Sequence, residues 1–187
     1  MRSVLSLVAA LFAAATPGIA DQTGPRVLVA GPTVARSLTY GPEKRQGLEL
    51  FTRGKGNAPL IVYVHGGGWS AGTPKAGVRG AQADHFTASG YAYAIVAYRF
   101  VPEVTVEAQA ADIARAIGFL RRQRGVDPGR VALIGHSSGG HLAALLGTDP
   151  SYLRAAKVPF EALRAVVLLD PAVLNVPMAM RAPGNPT

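Results

Sequence analysis

Gly135-His136-Ser137-Ser138-Gly139, directly after the apolar run Val131-Ala132-Leu133-Ile134, constrains this chain more than any other stretch. The aliphatic run reads as a strand, and the glycines bracketing the two serines let the backbone reverse sharply before a helix begins. A side chain at 135 or 139 would collide with the reversed strand and helix. A turn of this kind lifts the Ser137 hydroxyl clear of the main chain, in a strained conformation that only a surrounding fold can enforce. Ser137 is therefore the candidate nucleophile, with Gly135 and Gly139 supporting its turn.

A turn so tight needs a sheet behind it, and the rest of the sequence reads as one. Two short extended segments are expected around Val34 to Tyr40 and Leu48 to Thr52, joined through Gly41-Pro42 and Gly47. Leu60-Ile61-Val62-Tyr63-Val64 is a compact run of the type buried on both faces of a parallel sheet. After a loop and a helix comes a second such strand, Tyr91 to Tyr98. From Thr105 onward, Ala110, Ile113, Ala114, Ile117 and Leu120 fall on one stripe at helical spacing. Gly125 to Arg130 reads as the turn into the strand before Ser137. The helix after Ser137 turns Leu142, Leu145 and Leu146 inward, and Ala165 to Leu169 reads as another buried strand. Strands alternating with helices predict an α/β fold, a doubly wound, mostly parallel sheet with flanking helices.

The amino terminus follows a different logic. Met1-Arg2, an uncharged apolar run from Val4 to Ala15, and small residues at Gly18 and Ala20 form the pattern of a secretory signal peptide. The run is too short to span a bilayer as a stable anchor. The expected organisation is a signal peptide at 1–20, a Gly- and Pro-rich tether at 21–32, and one partial domain at 33–187, exported after cleavage near Ala20. An exported chain with no cysteine has no disulfide framework and no thiolate nucleophile, so its stability rests on packing. The formal charge is +8, but the basic residues are scattered along the 187 residues without interleaved aromatics, which argues against nucleic acid as a partner.

At the carboxyl end of the Leu60 strand stands His65-Gly66-Gly67-Gly68-Trp69. Consecutive glycines let the backbone approach a substrate and turn amide N–H groups outward, so Gly67 and Gly68 can donate to a tetrahedral oxyanion. Ser138, first in the helix after the nucleophile, adds a third donor reinforced by the helix amino terminus. His-Gly-Gly-Gly-Trp followed by Gly-His-Ser-Ser-Gly-Gly-His resembles the α/β-hydrolase esterases of the carboxylesterase and hormone-sensitive-lipase-like group, feruloyl-esterase-like members included. Tyr40-Gly41-Pro42, Tyr98-Arg99 with Pro102-Glu103, and Asp127-Pro128-Gly129-Arg130 extend the likeness, which runs from about Tyr40 to Asp170.

The resemblance implies hydrolysis of a small-molecule carboxylic ester through an acyl-enzyme on Ser137, with Gly67, Gly68 and Ser138 as the oxyanion hole and no metal or organic cofactor. It also implies a chain order of serine, acid, histidine. No histidine follows His141, so the chain is expected to be an amino-terminal portion lacking the catalytic acid and histidine. None of the four histidines present substitutes convincingly. His136 is expected to point away from its neighbour Ser137, His141 to pack within the next helix, His65 to brace the glycine loop, and His85 to sit on a helix surface. Asp170, at the end of the last strand, reads as a substrate-loop or structural residue. Trp69 and His65 are candidate pocket residues. Two other readings stay open: a non-catalytic, hydrolase-like binding protein, and a peptidase of the prolyl-oligopeptidase type, against which the His-Gly-Gly-Gly-Trp loop weighs.

Overall fold

The computed structural model describes residues 31–54, 56–73 and 79–172. The signal-peptide and tether expectations therefore lie outside the described residues, apart from Gly31 and Pro32. Six strands form one sheet in the order β1-β2-β4-β3-β5-β6. They are β1 (Val34–Thr39), β2 (Gly47–Thr52), β3 (Ala58–Val64), β4 (Ala92–Val96), β5 (Val126–His136) and β6 (Leu163–Leu169). β1 and β2 are antiparallel to each other, and β2 is antiparallel to β4. The pairs β3/β4, β3/β5 and β5/β6 are parallel.

Why the central stretches 60–64, 92–96 and 131–134 are apolar on every residue follows from the two faces they separate. Leu60, Val62 and Val64 of β3, Ala92, Ala94 and Val96 of β4, and Val131 and Leu133 of β5 join the main core. Their alternate neighbours, Ile61, Tyr93 and Ile95, form a second cluster on the opposite face, with Tyr63, Ala132 and Ile134 packed against it. This is the period-two alternation of a strand buried on both sides. α2 (Val106–Leu120) and α3 (Ser138–Thr148) cover the first face with Ile113, Ile117, Leu142 and Leu146. α1 (Arg79–Ala88) covers part of the second through Ala83 and Phe86. A short α4 (Pro150–Ala155) starts at an Asp149 cap whose carboxylate accepts the Ser151 N–H at 2.8 Å.

Two expectations change. Val126–Arg130 is the first part of β5 rather than a turn ahead of it, because Val126 pairs with Ala58 before the chain bulges. Asp127 manages the bulge: its carboxylate accepts the Gly129 N–H at 2.8 Å and Arg130 Nε at 2.6 Å. β6, expected to be buried, is only half so. Leu163, Val166 and Leu168 pack against the main core, while Val167 and Leu169 are 42% and 41% exposed. They point to the face that α1 covers over other strands, and among the described residues nothing covers it at β6.

The parallel register decides where chemistry can sit. Val64 of β3 stands opposite Val96 of β4 and Gly135 of β5, so the three strands end level. The segments leaving them emerge side by side at the carboxyl edge, where open α/β sheets bind ligands.

Candidate active site

Ser137 leaves β5 with φ 53° and ψ −122°, a conformation that costs a non-glycine residue about 1–3 kcal/mol and persists only where neighbours over-determine it. Those neighbours are identifiable. The Ser137 N–H donates to Leu169 O at 3.0 Å, and Ser137 O accepts from Gly140 N–H at 2.9 Å and Ala172 N–H at 3.1 Å. The end of β6 and the first turn of α3 thus clamp both backbone groups of the residue. A Cβ at Gly135 would lie 2.2 Å from Gly139 O, and one at Gly139 would lie 2.3 Å from Val64 O, so strand and helix approach to a separation that only glycine permits. The Ser137 hydroxyl makes no cap bond to its own helix and is half-buried.

The glycine loop stands directly against this turn. A Cβ on Gly66 would lie 2.9 Å from Ser137 Cβ. The loop then turns through Gly67 (φ 136°), Gly68 (φ 58°) and Trp69 (φ 60°), with Gly67 O accepting from the N–H groups of Ser70 (3.2 Å) and Ala71 (2.9 Å). The N–H groups of Gly67 and Gly68 donate to no described residue, and both glycines are exposed. The Ser138 N–H is one of the unpaired donors every helix carries at its amino terminus. Three unused donors therefore belong to two segments in contact at Gly66 and Ser137, an arrangement able to stabilise negative charge developing beside the hydroxyl.

Aromatic packing holds the base of the loop. The His65 ring stacks on Tyr98, centroids 4.6 Å apart, and meets Phe100 edge-on at 6.2 Å. The His65 Nδ1–H donates to Gly66 O at 2.8 Å, and Tyr98 Oη–H donates to His65 O at 2.8 Å. Burial pushes the Tyr98 phenol up to about 12 and depresses His65 below the ordinary imidazole value. His65 is thus a neutral, buried brace. It also walls a cavity of about 880 Å³ together with Arg45, Leu48, Arg99, Phe100 and Glu103. Neither Ser137 nor Trp69 lines that cavity.

Trp69 instead packs onto the main core, half-buried, with His141 edge-on to it at 5.7 Å. His141 is buried within α3, and burial lowers its pKa. His85 is exposed on α1. His136 is exposed, and its Nδ1 would lie 3.2 Å from a Cβ on Gly66, so the ring flanks the glycine loop. Asp170 is exposed at φ 43°, one residue beyond the Leu169 carbonyl that binds the Ser137 N–H. No histidine hydrogen-bonds to the Ser137 hydroxyl among the described residues, and no three His, Asp or Glu side chains there cluster as metal ligands.

Two buried residues of α2 escape a reading of the sequence. Asp112, with no exposed surface, accepts Arg99 Nε and Nη2 at 2.8 Å each, the Arg99 N–H at 3.2 Å, and Gln46 Nε2 at 2.8 Å. Gln109, also fully buried, donates from Nε2 to Trp69 O at 2.7 Å. The available signal is a pair of polar residues three apart beside the apolar stripe that runs from Ala110 to Leu120. It is easily missed, because the stripe alone accounts for the helix.

Comparison with known proteins bears on this geometry. Rat neutral cholesterol ester hydrolase 1 is 31% identical over 137 residues, which are 67% of this chain and 33% of that protein. Esterase B from Lactobacillus rhamnosis aligns with a TM-score of 0.55 at 26% identity, covering 76% of this chain and 46% of its own. Thermogutta terrifontis esterase 2, in a form phosphorylated by paraoxon, aligns with a TM-score of 0.51 at 30% identity over 59% of this chain and 46% of its own. The chain spans about one third of the curated relative's length and under half of either solved structure. The BD-FAE family model matches residues 48–159, which take in the glycine loop, the Ser137 turn and α2. Because that match covers more than half of the sequence, the chain belongs to the BD-FAE family of α/β-hydrolase esterases.

Proposed function

We propose that this chain is the nucleophile-bearing part of an exported carboxylic ester hydrolase. Ser137 Oγ attacks the ester carbonyl carbon while its proton passes to a general base. The carbonyl oxygen, now an alkoxide, receives N–H bonds from Gly67, Gly68 and Ser138. Collapse of the tetrahedral intermediate breaks the bond to the alcohol, which leaves with the proton from the base, and water then hydrolyses the acyl-Ser137 ester by the same route. A seryl hydroxyl needs a base within hydrogen-bond reach. The general base and its orienting acid belong, in this proposal, to sequence following Thr187, and they join the carboxyl edge at which Ser137 already stands.

The observation that supports the reading is the close approach of the two segments, a Cβ on Gly66 falling 2.9 Å from Ser137 Cβ, so that the glycine loop and the hydroxyl-bearing turn are neighbours. Paraoxon, which phosphorylates the Thermogutta relative, supplies the test. The present chain takes up one diethylphosphoryl group at Ser137, slowly, and Ser137→Ala takes up none. A version extended through a downstream acid and histidine hydrolyses short p-nitrophenyl esters at least about 10³-fold faster than the present chain, by the scale of losses when a triad member is removed. A non-catalytic binding protein is the competing reading. Paraoxon that leaves Ser137 unmodified in both versions overturns the hydrolase in its favour. Export makes a separate prediction, a mature protein beginning at Asp21 and recovered outside the cytoplasm. Recovery inside the cytoplasm with Met1 still in place contradicts it.

A further inference from the structure

The carbonyl of Trp69 is the point from which the glycine loop hangs. It accepts the Val101 N–H at 3.1 Å and the Gln109 side-chain amide at 2.7 Å. Gln109 sits in the first turns of α2, on the same buried side as Asp112, with no exposed surface. The two residues anchor different segments. Asp112 holds the one leaving β4 through Arg99, and Gln109 holds the one leaving β3 through Trp69. A leucine at 109 would continue the apolar stripe of α2 without desolvating an amide, and the Gln109 Oε1 is buried without a partner among the described residues. The residue is therefore a poor choice for packing alone. What it holds is a strained tryptophan at φ 60°, immediately after Gly67 and Gly68. Without the Gln109 bond, the Trp69 carbonyl keeps only the longer Val101 N–H bond, and the loop that carries the two glycine N–H groups is held less firmly.

We propose that Gln109 is a positioning residue for the amide cradle: by pinning the Trp69 carbonyl it aims the Gly67 and Gly68 N–H groups, and so sets the reactivity of Ser137 without touching the substrate. The proposal rests on the reading of those two amides as oxyanion donors. Its test uses the fact that Trp69 is the chain's one tryptophan, so fluorescence excited at 295 nm reports this loop.

In Gln109→Met, similar in length but without a donor, the acrylamide quenching constant of Trp69 rises at least about twofold and phosphorylation of Ser137 by paraoxon slows about tenfold or more, below the full loss of an oxyanion donor but in its direction. Gln109→Glu shows both defects at neutral pH, where a carboxylate cannot donate to a carbonyl. It recovers on acidification, when the protonated acid can donate, while Gln109→Met run in parallel does not. This rescue distinguishes aiming from bulk stability and stands if one variant folds poorly. Unchanged Trp69 quenching in Gln109→Met, or a Gln109→Glu profile with no acid recovery, overturns the proposal. Paraoxon that leaves Ser137 unmodified in both the present chain and the extended version overturns the hydrolase reading instead, and the quenching result still decides whether Gln109 holds the loop.

Discussion

A methyl group at position 139 would lie 2.3 Å from the Val64 carbonyl oxygen and 2.5 Å from that of His65, both backbone atoms of the segment that carries the glycine loop. Neither can withdraw without moving β3, so Gly139→Ala is expected to cost about 2–3 kcal/mol in urea unfolding, in the upper part of the range for overpacked sites. Gly80, in the first turn of α1, offers the contrast: nothing lies within 4 Å of its Cβ position, and Gly80→Ala is expected to stabilise by about 0.5 kcal/mol in the same measurement. Histidine titration belongs to the same scale. Burial holds the folded-state pKa of both His65 and His141 below 6.5, with Glu107 partly opposing the shift at His141. The unfolded chain therefore binds protons that the folded one refuses. The stability this contributes is fully present above about pH 6.5 and is lost as the pH falls through the folded-state values. Because an imidazolium against indole quenches its emission, Trp69 fluorescence is expected to fall with a midpoint below pH 6.5 and to lose that transition in His141→Phe. A transition that survives the substitution assigns the quenching elsewhere.

At the scale of elements, α2 acts as a strut carrying two polar hooks. Asp112 is fully buried and takes Arg99 through both guanidinium and main-chain N–H groups, with Gln46 completing its shell from the turn before β2. Removing one partner of such a pair strands the other, so Asp112→Ala is expected to cost about 3–5 kcal/mol and to lower the urea midpoint accordingly. A change under about 1 kcal/mol shows that the hook is ornamental. The elements themselves are largely legible in the sequence. Period-two and period-3.6 patterns locate β2, β3, β4 and α2 to within a few residues, because the faces they pack against are apolar. The crevice is legible in outline for a different reason. Glycines at 66–68, 135 and 139 are local requirements of the turns that bring Gly66 against Ser137, and local requirements leave local marks. Bonds made across distance leave none: the Gln109 amide on Trp69 lies 40 positions away, the Gln46 amide on Asp112 lies 66, and His136 beside Gly66 depends on how two strands end level. The same limit explains β6, whose apolar run carries no statement of whether anything lies over both of its faces.

For the whole molecule, that half-covered β6 is the most consequential feature. Ala165, Val167 and Leu169 form an apolar line on the open face, continuous with the partly buried Ala132 and Ile134 of β5, and β6 is the outer strand of the described sheet. An outer strand with exposed aliphatic side chains and few charges favours association, and Arg164 is the one charge within β6. The 187-residue chain is accordingly expected to self-associate in a concentration-dependent way on gel filtration with light scattering. Val167→Lys is expected to reduce that association several-fold at equal protein concentration, by placing a charge on the open face while Val166 and Leu168 keep their contacts with α3's side of the sheet. The substitution should leave the melting temperature within about 2 °C of the parent, since surface changes away from packed sites fall within about 0.5 kcal/mol. Two outcomes separate the explanations. Association that falls in Val167→Lys with melting unchanged assigns it to the open face of β6, whereas association that persists undiminished places the contact elsewhere and removes β6 from the account.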